Sequence, residues 1–192
     1  MNAIAPNRSW GPELDRKARA VRFLLLDVDG VLTDGRLHVG VEGDLFKSFH
    51  VRDGLAVKLA QAAGLRVGIL SARSSDIVAR RAAEVGIEEV VQGHEDKGAA
   101  FEQLRVRLAL DAGAIAYVGD DLQDLAVLAR VGLAAAPADA VEAVRSAVDY
   151  VTGARGGDGC VRELVERLLV ARGAWAAVLS RFAPPRRDDA AG

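Results

Sequence analysis

Val21-Arg22-Phe23-Leu24-Leu25-Leu26-Asp27-Val28-Asp29-Gly30-Val31-Leu32-Thr33-Asp34-Gly35 is the stretch on which the reading of this chain turns. Phe23 to Leu26 has the length and composition of a buried strand. It stops at two carboxylates, two residues apart, with a glycine behind them. In an open α/β sheet, ligands bind in the crevice outside the carboxyl ends of the strands. Two carboxylates so close repel each other, and one keeps its proton unless a cation neutralises them. The pair therefore points to a bound metal, to acid–base chemistry, or to both. Taken alone, Asp-x-Asp-Gly is more often a solvated acidic turn. An EF-hand is excluded, because counting from Asp27 puts Val31 and Leu32 where a side-chain ligand and the sharp-turn glycine belong.

The rest of the sequence sets the frame. A chain of 192 residues is one domain's worth, long enough to bury a core. Its composition, 51% hydrophobic and 27% charged, is that of a globular protein rather than a disordered one. A net charge of −2 lacks the basic excess of a nucleic-acid footprint. Cys160 is the sole cysteine, so no intrachain disulfide forms, and His38, His50 and His94 show no zinc-type spacing. Residues 1–10 hold no signal-peptide core, and no apolar run reaches the roughly 18 residues of a membrane span. The chain reads as cytoplasmic, with no membrane partner.

Beyond a polar leader (1–20), apolar runs alternate with helical patterns up to about residue 172. The runs are Phe23–Leu26, Val67–Leu70, Glu89–Val91, Ile115–Val118, Leu133–Ala135 and Tyr150–Val151. Between them, Asp53, Ser74 or Ser75, Asp96 and Asp121 can cap helices, and Gly64, Gly86 and Gly132 can close them. Such alternation predicts βαβ units: an α/β fold with a doubly wound, mostly parallel, Rossmann-like sheet. One piece breaks it. Residues 36–49 hold two β-prone segments around Glu42-Gly43-Asp44, a hairpin signal after the first strand. A last amphipathic helix is expected over 159–172, with Val161, Leu164, Val165, Leu168 and Leu169 on one face. Residues 173–192 form a C-terminal tail, and Pro184–Asp189 has the composition of a disordered segment.

Three further strand ends carry polar groups: Ser71-Ala72-Arg73, His94-Glu95-Asp96-Lys97, and Gly119-Asp120-Asp121-Leu122-Gln123-Asp124. Singly, each has a bland reading as a loop hydroxyl, a solvated charge or a helix cap. Together they bring a hydroxyl, an ammonium and a second acidic group to the edge that holds Asp27 and Asp29. Lys97 is out of place by dipole logic, since a cation is unfavourable at a helix N-terminus. A nearby anion would explain it.

This ordered set resembles the haloacid-dehalogenase-like phosphohydrolases. The resemblance implies phosphoryl transfer through an aspartyl-phosphate. Asp27 would be the nucleophile, Asp29 the general acid and base, and Ser71 and Lys97 the phosphoryl clamp. Mg2+ would be ligated by Asp27, Asp29 (through its carbonyl) and Asp120, supported by Asp121 and Asp124. From Ser71 to Lys97 there is room for one helix and one strand, so no large cap domain fits.

The stretches Phe49–Gly54, Tyr117–Leu122, Asp149–Thr152 and Gly156–Glu163 are similar to the minimal-cap family of KDO 8-phosphate (3-deoxy-D-manno-octulosonate 8-phosphate) phosphatases. That family acts in lipopolysaccharide precursor biosynthesis. The resemblance implies a sugar-acid phosphate as substrate, contacted by Asp29, His50, Val51, Arg52, Asp53, Gly54, Lys58, Arg73, Arg81 and Lys97. It also implies a homotetramer in which the hairpin packs against other subunits. Ser71 stands where the family often has threonine, Lys58 where arginine is expected, and Asp158 where a basic or neutral residue is usual. A phosphatase for a related nine-carbon sugar acid, or for another small phosphomonoester, is the alternative. A non-catalytic binding relative is disfavoured because all five chemical residues are present.

Overall fold

The computed structural model describes residues 10–41 and 43–182. Six parallel strands form one sheet in the order β5-β4-β1-β6-β7-β8. They are β1 (Phe23–Leu26), β4 (Arg66–Leu70), β5 (Glu89–Val91), β6 (Ile115–Val118), β7 (Leu133–Ala136) and β8 (Tyr150–Val151). β1 pairs with β4 from Phe23↔Arg66 to Leu26↔Ile69 and with β6 from Phe23↔Ile115 to Leu26↔Val118. The strand leading to Asp27 is thus central, with its last residue, Leu26, level with Ile69 and Val118.

β1 and β6 are apolar throughout because both faces of the sheet are covered. Leu24 and Leu26 pack on one side, under α1 (Pro12–Ala20), α2 (Val51–Ala62), α3 (Asp76–Val85) and α7 (Cys160–Ala171). Phe23 and Leu25 pack on the other, under α4 (Lys97–Arg107), α5 (Leu125–Leu128) and α6 (Glu142–Ala147). The five apolar residues expected on one face of the last long helix are all fully buried in α7.

Several details differ from the sequence reading. Residues 12–20 are a helix rather than part of a polar leader. Leu14 and Ala18 are buried against the core, and Lys17 pairs with Asp149 at 2.6 Å. The two buried positions sit four apart among charged residues, too sparse a stripe to stand out in a polar stretch. Asp53 does not cap α2. His50 does, its Nδ1 accepting from the Arg52 amide at 3.3 Å. The tail expected from residue 173 begins with a helix, α8 (Trp175–Ser180), and its Pro184–Asp189 segment lies outside the described residues.

The hairpin is β2 (His38–Gly40) and β3 (Gly43–Phe46), antiparallel, with the His38 and Phe46 rings stacked 4.0 Å apart. It stands off the main sheet, and Val39, Val41, Leu45 and Phe46 are exposed. α7 is tied to the first motif through the glycine-rich loop before it. The Gly157 amide donates to the Val31 carbonyl at 2.9 Å, and a Cβ on Gly156 would lie 1.8 Å from the Gly30 carbonyl oxygen. No side chain fits there. Gly156→Ala is expected to destabilise the fold by about 1–3 kcal/mol, the range for forcing extra volume into a packed site. Urea denaturation monitored by circular dichroism measures this.

Candidate active site

Four strand ends and the loops after them build one cleft of about 230 Å³. Asp27 enters from β1, Ser71 and Arg73 from β4, Lys97 from the start of α4, and Asp120, Asp121 and Asp124 from the turn after β6. The loop leaving β1 adds Asp29, Gly35 and Leu37.

Lys97 is buried at the centre. Its Nζ lies 2.8 Å from Asp27 Oδ2 and 2.7 Å from Asp124 Oδ1. Burial opposes its charge, but the two carboxylates override this and raise its pKa above the ordinary lysine value. The anion that explains a lysine at a helix N-terminus is therefore double. Asp96 caps the same helix by accepting from the Ala99 amide at 2.9 Å.

Asp124 is fully used. Oδ1 also accepts from the Tyr117 hydroxyl at 2.6 Å, and Oδ2 accepts from the amides of Asp120 and Asp121 at 2.9 and 3.1 Å. It lines the cleft and at the same time shapes the turn. Asp121 is exposed and joins it in a capping box, accepting from the Leu122 amide at 2.7 Å. Burial raises the Tyr117 hydroxyl well above its usual range, so it stays protonated and donates.

Asp27, Asp120 and Asp124 each offer a carboxylate oxygen, all within 4.8 Å of one another. Three carboxylates face one ammonium. Burial, reinforced by Asp124, pushes Asp27 up to about 7, and burial with Asp27 and Asp124 pushes Asp120 up to about 8. Asp120 Oδ1 is buried and has no hydrogen-bond partner. An all-oxygen donor set with excess negative charge fits a hard divalent cation between Asp27 and Asp120. Close approach is secured by Gly30, where a Cβ would fall 2.0 Å from Asp120 Oδ2.

Asp29 turns the other way. Its Oδ1 accepts from Lys47 Nζ at 2.5 Å and from the Thr33 hydroxyl at 3.4 Å, and Arg73 Nε lies 3.7 Å from Oδ2. Ser71 is buried and its Oγ accepts from the Arg73 amide at 3.3 Å, which leaves its own proton to donate.

The other expected substrate residues do not line this cleft. His50, Asp53, Gly54 and Arg81 gather instead around a small cavity of about 20 Å³ beside Phe49. The Arg81 guanidinium sits 5.8 Å from the Phe49 ring centroid and pairs with Glu84 at 2.8 Å. Asp53 is buried and serves α7, accepting from the Gly159 and Arg162 amides at 3.2 and 2.7 Å. Val51, Arg52 and Lys58 are exposed on α2. Among the expected substrate arginines, Arg73 alone reaches the cleft.

Sequence reasoning missed Tyr117 and Lys47. Tyr117 carried a signal, since a phenol in the middle of a buried strand needs a partner for its hydroxyl. Lys47, between Phe46 and Ser48, carried none.

A family model described as haloacid dehalogenase-like hydrolase matches residues 58–164. A KDO 8-phosphate phosphatase of Salmonella typhimurium is 43% identical over 162 residues, 84% of this chain and 86% of that protein. The KDO 8-phosphate phosphatase of Moraxella catarrhalis, crystallised with magnesium, phosphate and KDO, superposes with a TM-score of 0.86 at 36% identity. It covers 89% of this chain and 98% of that one. The cobalt-bound enzyme of Haemophilus influenzae gives a TM-score of 0.81 at 42% identity, covering 84% and 94%.

The charge excess generates a prediction. A carboxyl whose folded pKa is raised binds more protons folded than unfolded, so stability falls as pH rises through that window. With divalent metal chelated, Tm should fall between about pH 4, the unfolded carboxyl value, and the values near 7 and 8 for Asp27 and Asp120. Added Mg2+ should raise Tm at pH 8 and do little at pH 5. Differential scanning fluorimetry across that range checks it, and an equal Mg2+ effect at both pH values contradicts it.

Proposed function

Given that the chain belongs to the haloacid dehalogenase-like hydrolases, we propose that it is a Mg2+-dependent phosphatase that hydrolyses KDO 8-phosphate to KDO and phosphate. The observation that carries this reading is the gathering of Asp27, Asp29, Ser71, Lys97 and Asp120 in one cleft. The identity of 43% to a KDO 8-phosphate phosphatase supplies the substrate.

The chemistry follows from those residues. Asp27 attacks phosphorus in line, and the bond to the sugar oxygen breaks as the aspartyl bond forms. Asp29 protonates the departing oxygen, then takes a proton from the water that hydrolyses the aspartyl-phosphate. Splitting one difficult displacement into two easier ones is the gain from a nucleophilic carboxylate. Ser71 donates to a phosphoryl oxygen, and Lys97 supplies positive charge beside both the nucleophile and the phosphate. Asp27, the Asp29 carbonyl and Asp120 would hold Mg2+, which cancels the repulsion between carboxylate and phosphate. Asp124 and Asp121 support that set by ordering the turn that carries Asp120. Arg73, half-exposed at the mouth, is suited to the sugar carboxylate, since a guanidinium binds carboxylates bidentately.

His50, Val51, Arg52, Asp53, Gly54, Lys58 and Arg81 lie outside the cleft of their own chain. A homotetramer in which the apolar hairpin, with Val39 63% and Leu45 67% exposed, packs on a neighbour would cover that surface. The same assembly would bring the exposed Val51 and Arg52 toward a second cleft and would exclude water from a site that has no cap domain. Among the described residues no helix is long and apolar enough to cross a membrane, and a cytoplasmic enzyme completes the reading.

Phosphate release from KDO 8-phosphate, with Mg2+ and with a chelator, tests the function directly. Asp27→Asn should abolish turnover, and Asp29→Asn should lose on the order of 10²–10⁴-fold in kcat, the range for a general acid or base. Normal turnover by the Asp27→Asn protein would refute the assignment. Light scattering should give a mass four times that of the chain, and a fully active monomer would contradict the assembly.

A further inference from the structure

The residue that holds Asp29 comes from the hairpin. Lys47 follows β3, and its side chain is 2% exposed. Its Nζ lies 2.5 Å from Asp29 Oδ1 and 3.6 Å from Asp44 Oδ2. Asp44 Oδ1 in turn accepts from Arg73 Nη2 at 3.1 Å, and Arg73 Nε lies 3.7 Å from the second oxygen of Asp29. The four side chains close a ring in which each acid sits between the same two cations. Arg73 is half-exposed and long, so Lys47 is the rigid member. A buried ammonium is costly to desolvate unless it is paired. Its neighbours Leu45, Phe46 and Ser48 are exposed while Lys47 alone turns inward onto Asp29 and Asp44, and that placement marks a role.

We propose that Lys47 is a positioning residue for the acid–base step: it fixes the Asp29 carboxylate at the cleft wall, away from the Lys97 centre, where the leaving oxygen must be protonated. This rests on the phosphatase reading above, in which Asp29 carries that proton. The hairpin then has a catalytic duty within its own subunit, independent of any packing between subunits. Asp44 and Arg73 brace the contact. General acid–base catalysis depends on hydrogen-bond reach of the reacting atom, so a carboxylate freed to rotate loses rate without losing substrate.

Lys47→Met keeps the stem and removes the charge. It should lower kcat for the sugar-acid phosphate by about 10–100-fold, part of the range for a general acid or base, with KM changed less than about threefold. Lys47→Arg should recover part of the loss. In the Asp29→Asn background, Lys47→Met should cost nothing further, because the group it positions is already gone. With 4-nitrophenyl phosphate, whose leaving group needs no proton, Lys47→Met should still release one equivalent of nitrophenolate per site rapidly before slow turnover.

Unchanged kcat in a wild-type-active preparation, or an equal loss in the Asp29→Asn background, overturns the proposal while leaving the phosphatase reading intact. A wild-type protein inactive on every phosphomonoester refutes that reading instead. Should Lys47→Met melt below the assay temperature, Asp44→Asn, which loosens Lys47 from its other side, carries the same cycle, and additivity there overturns the proposal.

Discussion

One buried ammonium organises the site. Lys97 touches Asp27 at the end of β1 and Asp124 after β6, and it starts the helix that follows β5. Three strand ends are therefore pinned to a single positive charge, and Asp124 passes the constraint on to the amides of Asp120 and Asp121. A buried ion pair is weak evidence for stability, because desolvation offsets most of the Coulombic gain. What this one secures is placement: the nucleophile candidate cannot rotate from its partner without leaving Lys97 buried beside Asp124 alone. The glycines at 30 and 156 act on the same region by exclusion. One admits Asp120 to the first motif, and the other lets the loop before α7 lie directly under it.

The sheet was legible because each strand is short, apolar and bounded by turn residues, so periodicity and punctuation agreed. β1, β5, β6 and β8 fall where the runs Phe23–Leu26, Glu89–Val91, Ile115–Val118 and Tyr150–Val151 put them, and β4 and β7 each gain one residue. Helix ends were less legible where a cap could be read locally but was used at long range. Asp53 looks like an N-cap of α2, yet it caps α7, more than a hundred residues away, and burial raises its pKa even as the Arg162 amide opposes that. Helix α1 was missed because its core contact rests on Leu14 and Ala18 among seven other, mostly polar residues. Propensity and pattern report the local chain, and these two cases are decided by what packs against it.

Substrate residues were the least legible part. Family likeness supplied their identities, and sequence order suggested one site. In the fold they divide into three groups: Asp29, Arg73 and Lys97 in the cleft; Arg81 with His50, Asp53 and Gly54 beside Phe49; and Val51, Arg52 and Lys58 exposed on α2. The second group is shaped for packing as much as for binding. Gly54 makes room for the Arg81 guanidinium, since a Cβ there would lie 2.2 Å from Nη2. A positively charged side chain that lies over an aromatic ring and pairs with Glu84 has a complete set of partners within its own chain. Arg52 on the adjoining exposed turn has no such set among the described residues, so the two arginines differ in what they can offer a ligand.

Where local rules are broken also locates the function. Across most of the chain the levels agree: alternating strand faces, a left-handed glycine closing α3, acids capping helix N-termini. The breaches fall together. A lysine occupies the first residue of α4, three carboxylates meet around it, Asp120 keeps a buried oxygen without a partner, and a second lysine is buried under the hairpin against Asp29. Each is unfavourable by itself, and each concerns charge rather than packing. A sequence selected for stability alone would replace such a cluster with well-packed apolar residues at little loss. Its retention at the carboxyl edge of the sheet, with excess negative charge on one side of Asp27 and paired cations around Asp29 on the other, separates two tasks in space. On the proposed reading, the first side takes a cation and an anionic phosphate together, and the second holds the group that moves the proton.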